Sequence, residues 1–308
     1  MNNFGETDLT PVEEYNGILF KRDDLYRPFS DFGVSGGKVR QCIALIKANL
    51  DLINGEYNST IATVASVHSP QTVIVARVAK AFGLHCVIGI GKNVKETHTA
   101  IRMCRDLGAD IVRLDTSFNY DAVLTGKLEE LAKTRPMYII KFGLKAGTDP
   151  QAILETNANQ VQNIPKDITH LIIPAGSGLS AAGILLGVKK YLPHLIGDDS
   201  VFGYTRPGVV IIQPFGYDRT KLIKELSGLI SPTNYEYQYP KYTYNKAYDH
   251  EISPGFKLDE IYEAKSYEYF KKNNFFRMKK FKACFWVVGE ANFLRKEYNE
   301  QSVETCKA

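Results

Sequence analysis

Apolar residues change their spacing near residue 60. Before that point, Ile18–Asp23 reads as a short strand. A Gly-rich turn, Gly33-Val34-Ser35-Gly36-Gly37, then leads to Lys38, which opens a helix with apolar positions at Val39, Ile43, Leu45, Ile46 and Leu50. From Thr60 onward, short continuous apolar runs alternate with stretches at helical spacing. Strands are predicted at 60–65, 86–90, 110–114 and 137–140, with helices over 71–82, 95–107 and 119–133. A second series predicts a helix over 150–162, a strand at 170–174, a helix over 180–192, a strand at 209–213 and a helix over 218–229. A helix over 258–272 and a strand at 283–288 close it. Segment 230–256 takes no class: nine of the 18 tyrosines lie between 235 and 269, and Tyr235, Tyr237 and Tyr239 alternate. Strands alternating with helices predict an α/β fold with parallel-rich open sheets.

Composition narrows this little. The 308 residues, 44% hydrophobic and 23% charged, suit a globular chain with a sizeable core in two lobes. No apolar run approaches the roughly 20 residues of a membrane helix. The start, Met1-Asn2-Asn3-Phe4-Gly5-Glu6, has neither the basic nor the apolar part of a signal peptide. Cys42, Cys86, Cys104, Cys284 and Cys306 are odd in number and lack metal-ligand spacing, so they read as reduced thiols of a cytoplasmic protein. A net charge of +4 is too mild to imply nucleic acid by itself.

Three Gly/Ser-rich turns stand before predicted helices: Gly36-Gly37-Lys38, Ser66-Val67-His68-Ser69 and Gly176-Ser177-Gly178-Leu179-Ser180. Each offers unpaired N–H groups at the positive end of a helix dipole. The third is the best anion cradle, because it follows an apolar strand and precedes Ala181-Ala182-Gly183, small residues that permit close backbone approach. It matches neither the Walker pattern nor GxGxxG, and a plain tight βα turn remains open as the alternative. Lys38 taken alone reads as a surface lysine, with a catalytic amine as the alternative.

Together the blocks are more specific. Thr10-Pro11, Lys21-Arg22-Asp23-Asp24-Leu25 and Gly36-Gly37-Lys38-Val39-Arg40 resemble the opening of the 1-aminocyclopropane-1-carboxylate deaminase and D-cysteine desulfhydrase family. These are fold type II, tryptophan-synthase-β-like enzymes that use pyridoxal 5'-phosphate (PLP). The resemblance continues, in the family's order, through Ala65–Gln71, Gly176–Ser180 and Tyr262-Glu263-Ala264-Lys265-Ser266. It implies a large PLP-binding lobe of residues 1–50 and 143–308, a small lobe of 51–142, the cofactor in the cleft between them, and a homodimer. Lys38 resembles the Schiff-base lysine that also shuttles the substrate proton. Gly176, Ser177, Gly178, Leu179 and Ser180 resemble the loop that holds the cofactor phosphate. Ser69 and Gln71 resemble the turn that receives the substrate carboxylate, with Pro70 where the family has Asn, which removes a backbone donor. Glu263 resembles the carboxylate facing the pyridine nitrogen, against the alternative of an exposed helix residue pairing with a lysine. Tyr262 and Tyr248 resemble the active-site tyrosines. Gly36-Gly37-Lys38 lacks the family's Asn before the lysine, and Val287-Val288-Gly289-Glu290 replaces its His/Thr-Gly-Gly end.

The expected activity is a PLP-dependent lyase or deaminase acting on a small amino acid through a carbanion. One alternative is a decarboxylase or other Cα-modifying enzyme for an unusual, DNA-linked amino acid; another is a non-catalytic metabolite-binding protein on the same scaffold. The nucleic-acid alternative draws on Lys271, Lys272, Arg277, Lys279, Lys280 and Lys282, interleaved with Phe275, Phe276 and Phe281. A solvated helix end is the favoured reading of that stretch.

Overall fold

Asn16-Gly17 turns the chain through two residues at φ 53° and 76°, the twist that joins antiparallel strands tightly. They connect β1 (Val12–Tyr15) to β2 (Ile18–Arg22). The structure, a computed structural model, describes residues 3–29, 34–66, 69–117, 121–145, 150–196, 207–243, 246–273 and 281–289. After the hairpin come α1 (Gly37–Ala48) and α2 (Leu50–Glu56). The α/β alternation follows as β3 (Thr60–Val64), α3 (Gln71–Phe82), β4 (His85–Gly91), α4 (Thr99–Asp106), β5 (Asp110–Leu114), α5 (Asp121–Ala132) and β6 (Tyr138–Ile140). The second series is α6 (Gln151–Gln160), β7 (His170–Pro174), α7 (Leu179–Tyr191), β8 (Gly208–Ile212) and α8 (Thr220–Ser227). Short strands β9 (Glu236–Gln238), β10 (Glu251–Ser253) and β11 (Phe256–Lys257) occupy the unclassified tyrosine-rich segment, and α9 (Glu263–Lys272) and β12 (Ala283–Val287) complete the series.

These elements form two compact units. One joins the segment up to Tyr26 to the segment from Ile153, and the other runs from Arg27 to Ala152. The expectation placed residues 1–50 together in the large lobe. The structure instead groups α1 with the second unit, because its buried face, including Val39, Cys42, Ile43 and Ile46, packs on α3.

The first unit is built on a six-stranded sheet in the order β1-β2-β12-β7-β8-β9. From β2 to β9 each neighbouring pair is parallel, with Phe285 opposite both Phe20 and Ile172. Alternate residues of a strand face opposite sides. Leu171, Ile173, Val209, Ile211 and Trp286 accordingly enter one core with Leu185 and Val188 of α7. Ile172, Val210, Ile212 and Phe285 enter the other with Phe20 and Phe270. Burial on both faces explains why these strands read as unbroken apolar runs. The second unit has a four-stranded parallel sheet, β5-β4-β3-β6, with Ala62, Val64, Val87 and Leu114 packed against Leu124 and Leu128 of α5.

Several expected boundaries shift for local reasons. In α4, the His98 ring accepts a hydrogen bond from the Ala100 N–H at 3.3 Å and caps a helix expected four residues earlier. In α9, Asp259 Oδ1 accepts from the N–H groups of Ile261 (3.1 Å) and Tyr262 (2.8 Å), holding a turn where helix was expected. Among the described residues no helix is long and apolar enough to cross a membrane.

Candidate cofactor site

The glycine turn of the first unit begins where β7 ends. The Ala175 N–H still donates to Ile212 O at 2.8 Å, after which the chain leaves the sheet for α7. Gly178 stands at the helix N-cap with φ 86°, a left-handed conformation that costs an L side chain energy. Among the described residues, no backbone oxygen accepts from the N–H groups of Gly176, Ser177, Gly178 or Leu179. Both glycines are also needed for space. A Cβ on Gly176 would lie 3.0 Å from Tyr262 Cε1, and one on Gly178 would lie 3.0 Å from Arg219 Cβ. Gly183 and Gly187 also permit close packing within the protein. A Cβ on Gly183 would lie 2.7 Å from Leu154 O and one on Gly187 2.4 Å from Ala158 O, so these two glycines let α7 seat against α6.

Glu263, the first residue of α9, is 2% exposed. Its Oε2 accepts from the Asp259 N–H at 2.9 Å, and its Oε1 accepts from the N–H groups of Val288 (2.7 Å) and Gly289 (3.0 Å). This overturns the alternative of an exposed residue paired with a lysine. Burial, reinforced by the nearby Asp259 carboxylate, pushes the Glu263 carboxyl well above the usual carboxylate range, while the Asp259 and Gly289 N–H groups pull the other way.

Beside it, the Tyr262 ring lies 4.6 Å from the Phe215 ring, centroid to centroid. Lys265, fully buried, donates to Thr243 O at 2.7 Å and holds its ammonium 4.9 Å from the Phe215 centroid. Sequence reasoning singled out neither Phe215, Lys265 nor Arg219. Lys265 at least sat within a quoted block, two residues beyond Glu263. Tyr248 packs at the edge of the Phe20–Phe256–Phe285 core, 5.6 Å from the Tyr242 ring and 5.3 Å from Lys246 Nζ.

In the second unit Lys38 is the second residue of α1, half-buried, directly after Gly36 at φ 93° and Gly37. Ser69 and Gln71 bracket Pro70 at the start of α3, and Ser69 Oγ accepts the Gln71 N–H at 3.3 Å. The Gln71 side chain is fully committed within the protein. Its Nε2 donates to Thr63 Oγ1 and Lys141 O, both at 3.0 Å. Its Oε1 accepts from the N–H groups of Gly143 (2.8 Å) and Leu144 (3.3 Å). Two donors and two lone pairs exhaust an amide, so Gln71 braces this turn from inside.

Only the two ends of the basic stretch lie among the described residues. Lys272 pairs with Glu268 (2.8 Å), Lys282 pairs with Asp167 (2.6 Å), and Lys271 lies 5.6 Å from the Tyr267 ring. Arg277, Lys279, Lys280, Phe275 and Phe276 lie outside the described residues, as do His68 and Cys306. The other four cysteines are buried free thiols, and no metal-binding cluster occurs among the described residues.

A phosphorylated pyridine cofactor suits the first unit on three observations. These are the unpaired N–H groups of the glycine turn, a buried carboxylate one residue from the tyrosine that covers that turn, and the Arg219 Nε, buried and without a hydrogen-bond partner.

Comparison with known proteins points the same way. The chain is 28% identical over 196 residues to the O-seryl-dTMP PLP-dependent decarboxylase of Salmonella phage ViI, a match covering 56% of this chain and 44% of that protein. It is 27% identical over 203 residues to a 1-aminocyclopropane-1-carboxylate deaminase of Variovorax paradoxus, covering 60% and 58%. The matched stretches thus span about half the length of these relatives. Among solved structures, an ACC deaminase homologue superposes with a TM-score of 0.69 at 20% identity, over 96% of this chain and 93% of the other. Escherichia coli diaminopropionate ammonia lyase superposes with a TM-score of 0.60 at 15% identity, over 99% and 90%. At such identities the likeness concerns the fold, which is that of a two-lobed α/β PLP enzyme. With the sequence profile of the pyridoxal-phosphate dependent enzymes matching residues 2–224 of 308, the chain belongs to that family.

Proposed function

We propose that this chain is a PLP-dependent lyase that breaks a bond at the Cα of a small amino acid, with deamination or elimination as the outcome. The observation that carries this reading is the buried Glu263 carboxylate next to Tyr262, whose ring covers the glycine turn. When bound, the cofactor supplies an electron sink for the pair left at Cα. Gly176, Ser177, Gly178, Leu179 and Ser180 hold its phosphate through the turn's N–H groups and hydroxyls. Lys38 Nζ is the attachment point and carries the Cα proton; the first turn of a helix is the end least hospitable to an ammonium, which favours the nucleophilic amine. Glu263 keeps a proton on the ring nitrogen. Three N–H groups occupy three of its roughly four acceptor positions, leaving one that the N–H of a bound pyridine ring would use. Ser69 orients the substrate carboxylate, Gln71 holds that turn in shape, and Tyr262, with Tyr248 as the second candidate, exchanges protons with the substrate.

One observation favours a second reading, decarboxylation of an amino acid carried on a nucleotide. A deaminase gains from gripping the substrate carboxylate, whereas a decarboxylase must let it go. Pro70 removes a backbone donor from the turn that would grip it, and the phage relative is named for decarboxylating O-seryl-dTMP. The test is the absorption spectrum of the protein with PLP, wild type beside Lys38→Ala, followed by assay of ammonia and carbon dioxide from D-cysteine, 1-aminocyclopropane-1-carboxylate and O-seryl-dTMP. A visible band that borohydride removes, present in the wild type alone, is expected. Ammonia release supports the first reading and carbon dioxide the second. Equal spectra without such a band would leave a binding protein on this scaffold.

A further inference from the structure

We propose that Phe215 and Lys265 are positioning residues for Tyr262: the buried Lys265 ammonium fixes the Phe215 ring, and that ring fixes Tyr262 over the glycine turn. This rests on the reading of Tyr262 as a tyrosine of the cofactor site.

The Tyr262 ring needs such a support. Its backbone is placed by Asp259 Oδ1, which accepts its N–H at 2.8 Å just before α9 begins. The ring is a separate matter, because three staggered wells are open to a tyrosine side chain and a neighbour must select one. The selected one matters to the site. A Cβ on Gly176 would lie 3.0 Å from Tyr262 Cε1 and 3.6 Å from Cζ, so the hydroxyl-bearing edge is the part that meets the turn.

Phe215 is the aromatic neighbour that can select it. Their centroids are 4.6 Å apart with the planes tilted by 43°, within the range of favourable aromatic pairs. Phe215 follows β8, whose parallel neighbour β7 leads into the glycine turn, so both stand at the same ligand-binding edge of the sheet. Its backbone is held twice over. Gln213 Nε2 donates to Phe215 O at 2.9 Å, and the Tyr242 N–H donates to Pro214 O at 2.6 Å.

Lys265 reaches the same ring from α9. It lies three residues beyond Tyr262, a spacing that makes neighbours on a helix, and its Nζ is 4.9 Å from the Phe215 centroid. That Nζ also donates to Thr243 O at 2.7 Å, one residue past the Tyr242 that holds Pro214. The helix start and two loops thus converge on one aromatic ring. Lys265 is fully buried, and burying an ammonium costs far more than burying an apolar side chain of similar length. Packing alone would be served more cheaply by methionine. What the charge adds is attraction to the face of Phe215, which fixes the ring's orientation as well as its place.

The experiment titrates PLP into the wild type, Phe215→Leu, Tyr262→Ala and the double variant, following the visible band, with urea midpoints as the measure of fold. Leucine keeps residue 215 apolar and removes its aromatic face. The expected result is a rise of at least about fivefold in half-saturating PLP for Phe215→Leu, shrinking to less than about twofold when Tyr262 is already alanine. Equal rises in the two backgrounds would make Phe215 a packing residue and overturn the proposal, as would no rise in either. Lys265→Met should reproduce the loss, and Lys265→Arg, which keeps the cation, should stay within about twofold of the wild type. Equal losses for these two variants would overturn the part given to the ammonium. Should Lys265→Met fail to fold, Lys265→Arg decides alone, a fall of about fivefold or more overturning that part. A wild-type protein without a PLP band would instead overturn the cofactor reading on which this rests.

Discussion

Two strand-to-helix turns, one in each unit, start from similar sequence and end in opposite states. At Gly176–Ser180 the turn follows β7, and the N–H groups of Gly176, Ser177, Gly178 and Leu179 find no backbone acceptor among the described residues. Its glycines touch Tyr262 and Arg219, and beside it lie a buried guanidinium nitrogen and a buried carboxylate. At Ser69–Gln71 the polar groups are consumed at home. Ser69 Oγ takes the Gln71 N–H, and the Gln71 amide ties Thr63, Lys141, Gly143 and Leu144 into one frame. The first turn has polar capacity left for a ligand and the second has spent most of its capacity on rigidity. A Gly/Ser-rich turn before a helix is therefore a weak guide to binding until its hydrogen bonds have been counted.

The contrast can be broken by substitution. The largest effect is expected from Gln71→Leu, which strands two N–H groups, a carbonyl and a hydroxyl. It should lower stability by about 3 kcal/mol in urea denaturation while leaving PLP half-saturation within a factor of about two. A cofactor loss larger than the stability loss would show that this turn is not a brace. Gly178→Ala should do the reverse. The left-handed φ costs an alanine about 1–2 kcal/mol, and the new methyl displaces the Arg219 stem. PLP half-saturation should rise about tenfold, with a modest shift in the urea midpoint; unchanged PLP titration would sink the role given to this turn.

The smallest effect concerns pH. The folded Glu263 carboxyl lies above its ordinary value of 4.5, so the folded protein keeps a proton that the unfolded chain releases. Its contribution to apoprotein stability is fully present below pH 4.5 and declines as pH rises towards the folded value. Urea midpoints measured upward from pH 4.5 should fall for the wild type and fall less for Glu263→Gln. Parallel curves would remove Glu263 as the source of the trend.

Much of this was legible in the chain. The helix over 71–82 and the strands at 110–114 and 170–174 were read at their observed limits, since buried parallel strands and amphipathic helices write their period directly into the sequence. The hairpin turn Asn16-Gly17 was equally legible and went unread, although Asn-Gly is a strong hairpin signal. Other features depend on distant partners. Lys21, in a block that carried the family resemblance, is a buried architectural tie, donating to Thr10 O and Asn163 Oδ1, both at 2.7 Å. Arg22 grips Asp24 through two bonds of 2.9 and 2.8 Å. Nothing in a stretch such as Lys-Arg-Asp-Asp-Leu separates framework from chemistry. Arg219 had no motif at all, because its relation to Gly178 exists only once α8 lies against α7.

The position of β12 bears on how the molecule is made. This strand, Ala283–Val287, lies inside the larger sheet between β2 and β7, so it bridges the hairpin of the first 22 residues to the rest. A ribosome that has released residues 1–280 has delivered every other strand of that sheet without the one that joins its two parts. The smaller sheet is in a different position: all four of its strands lie between Thr60 and Ile140 and are available while half the chain is still unmade. Synthesis order thus lets the smaller sheet pair first, while the larger sheet, which carries the glycine turn, is complete only once β12 has been made.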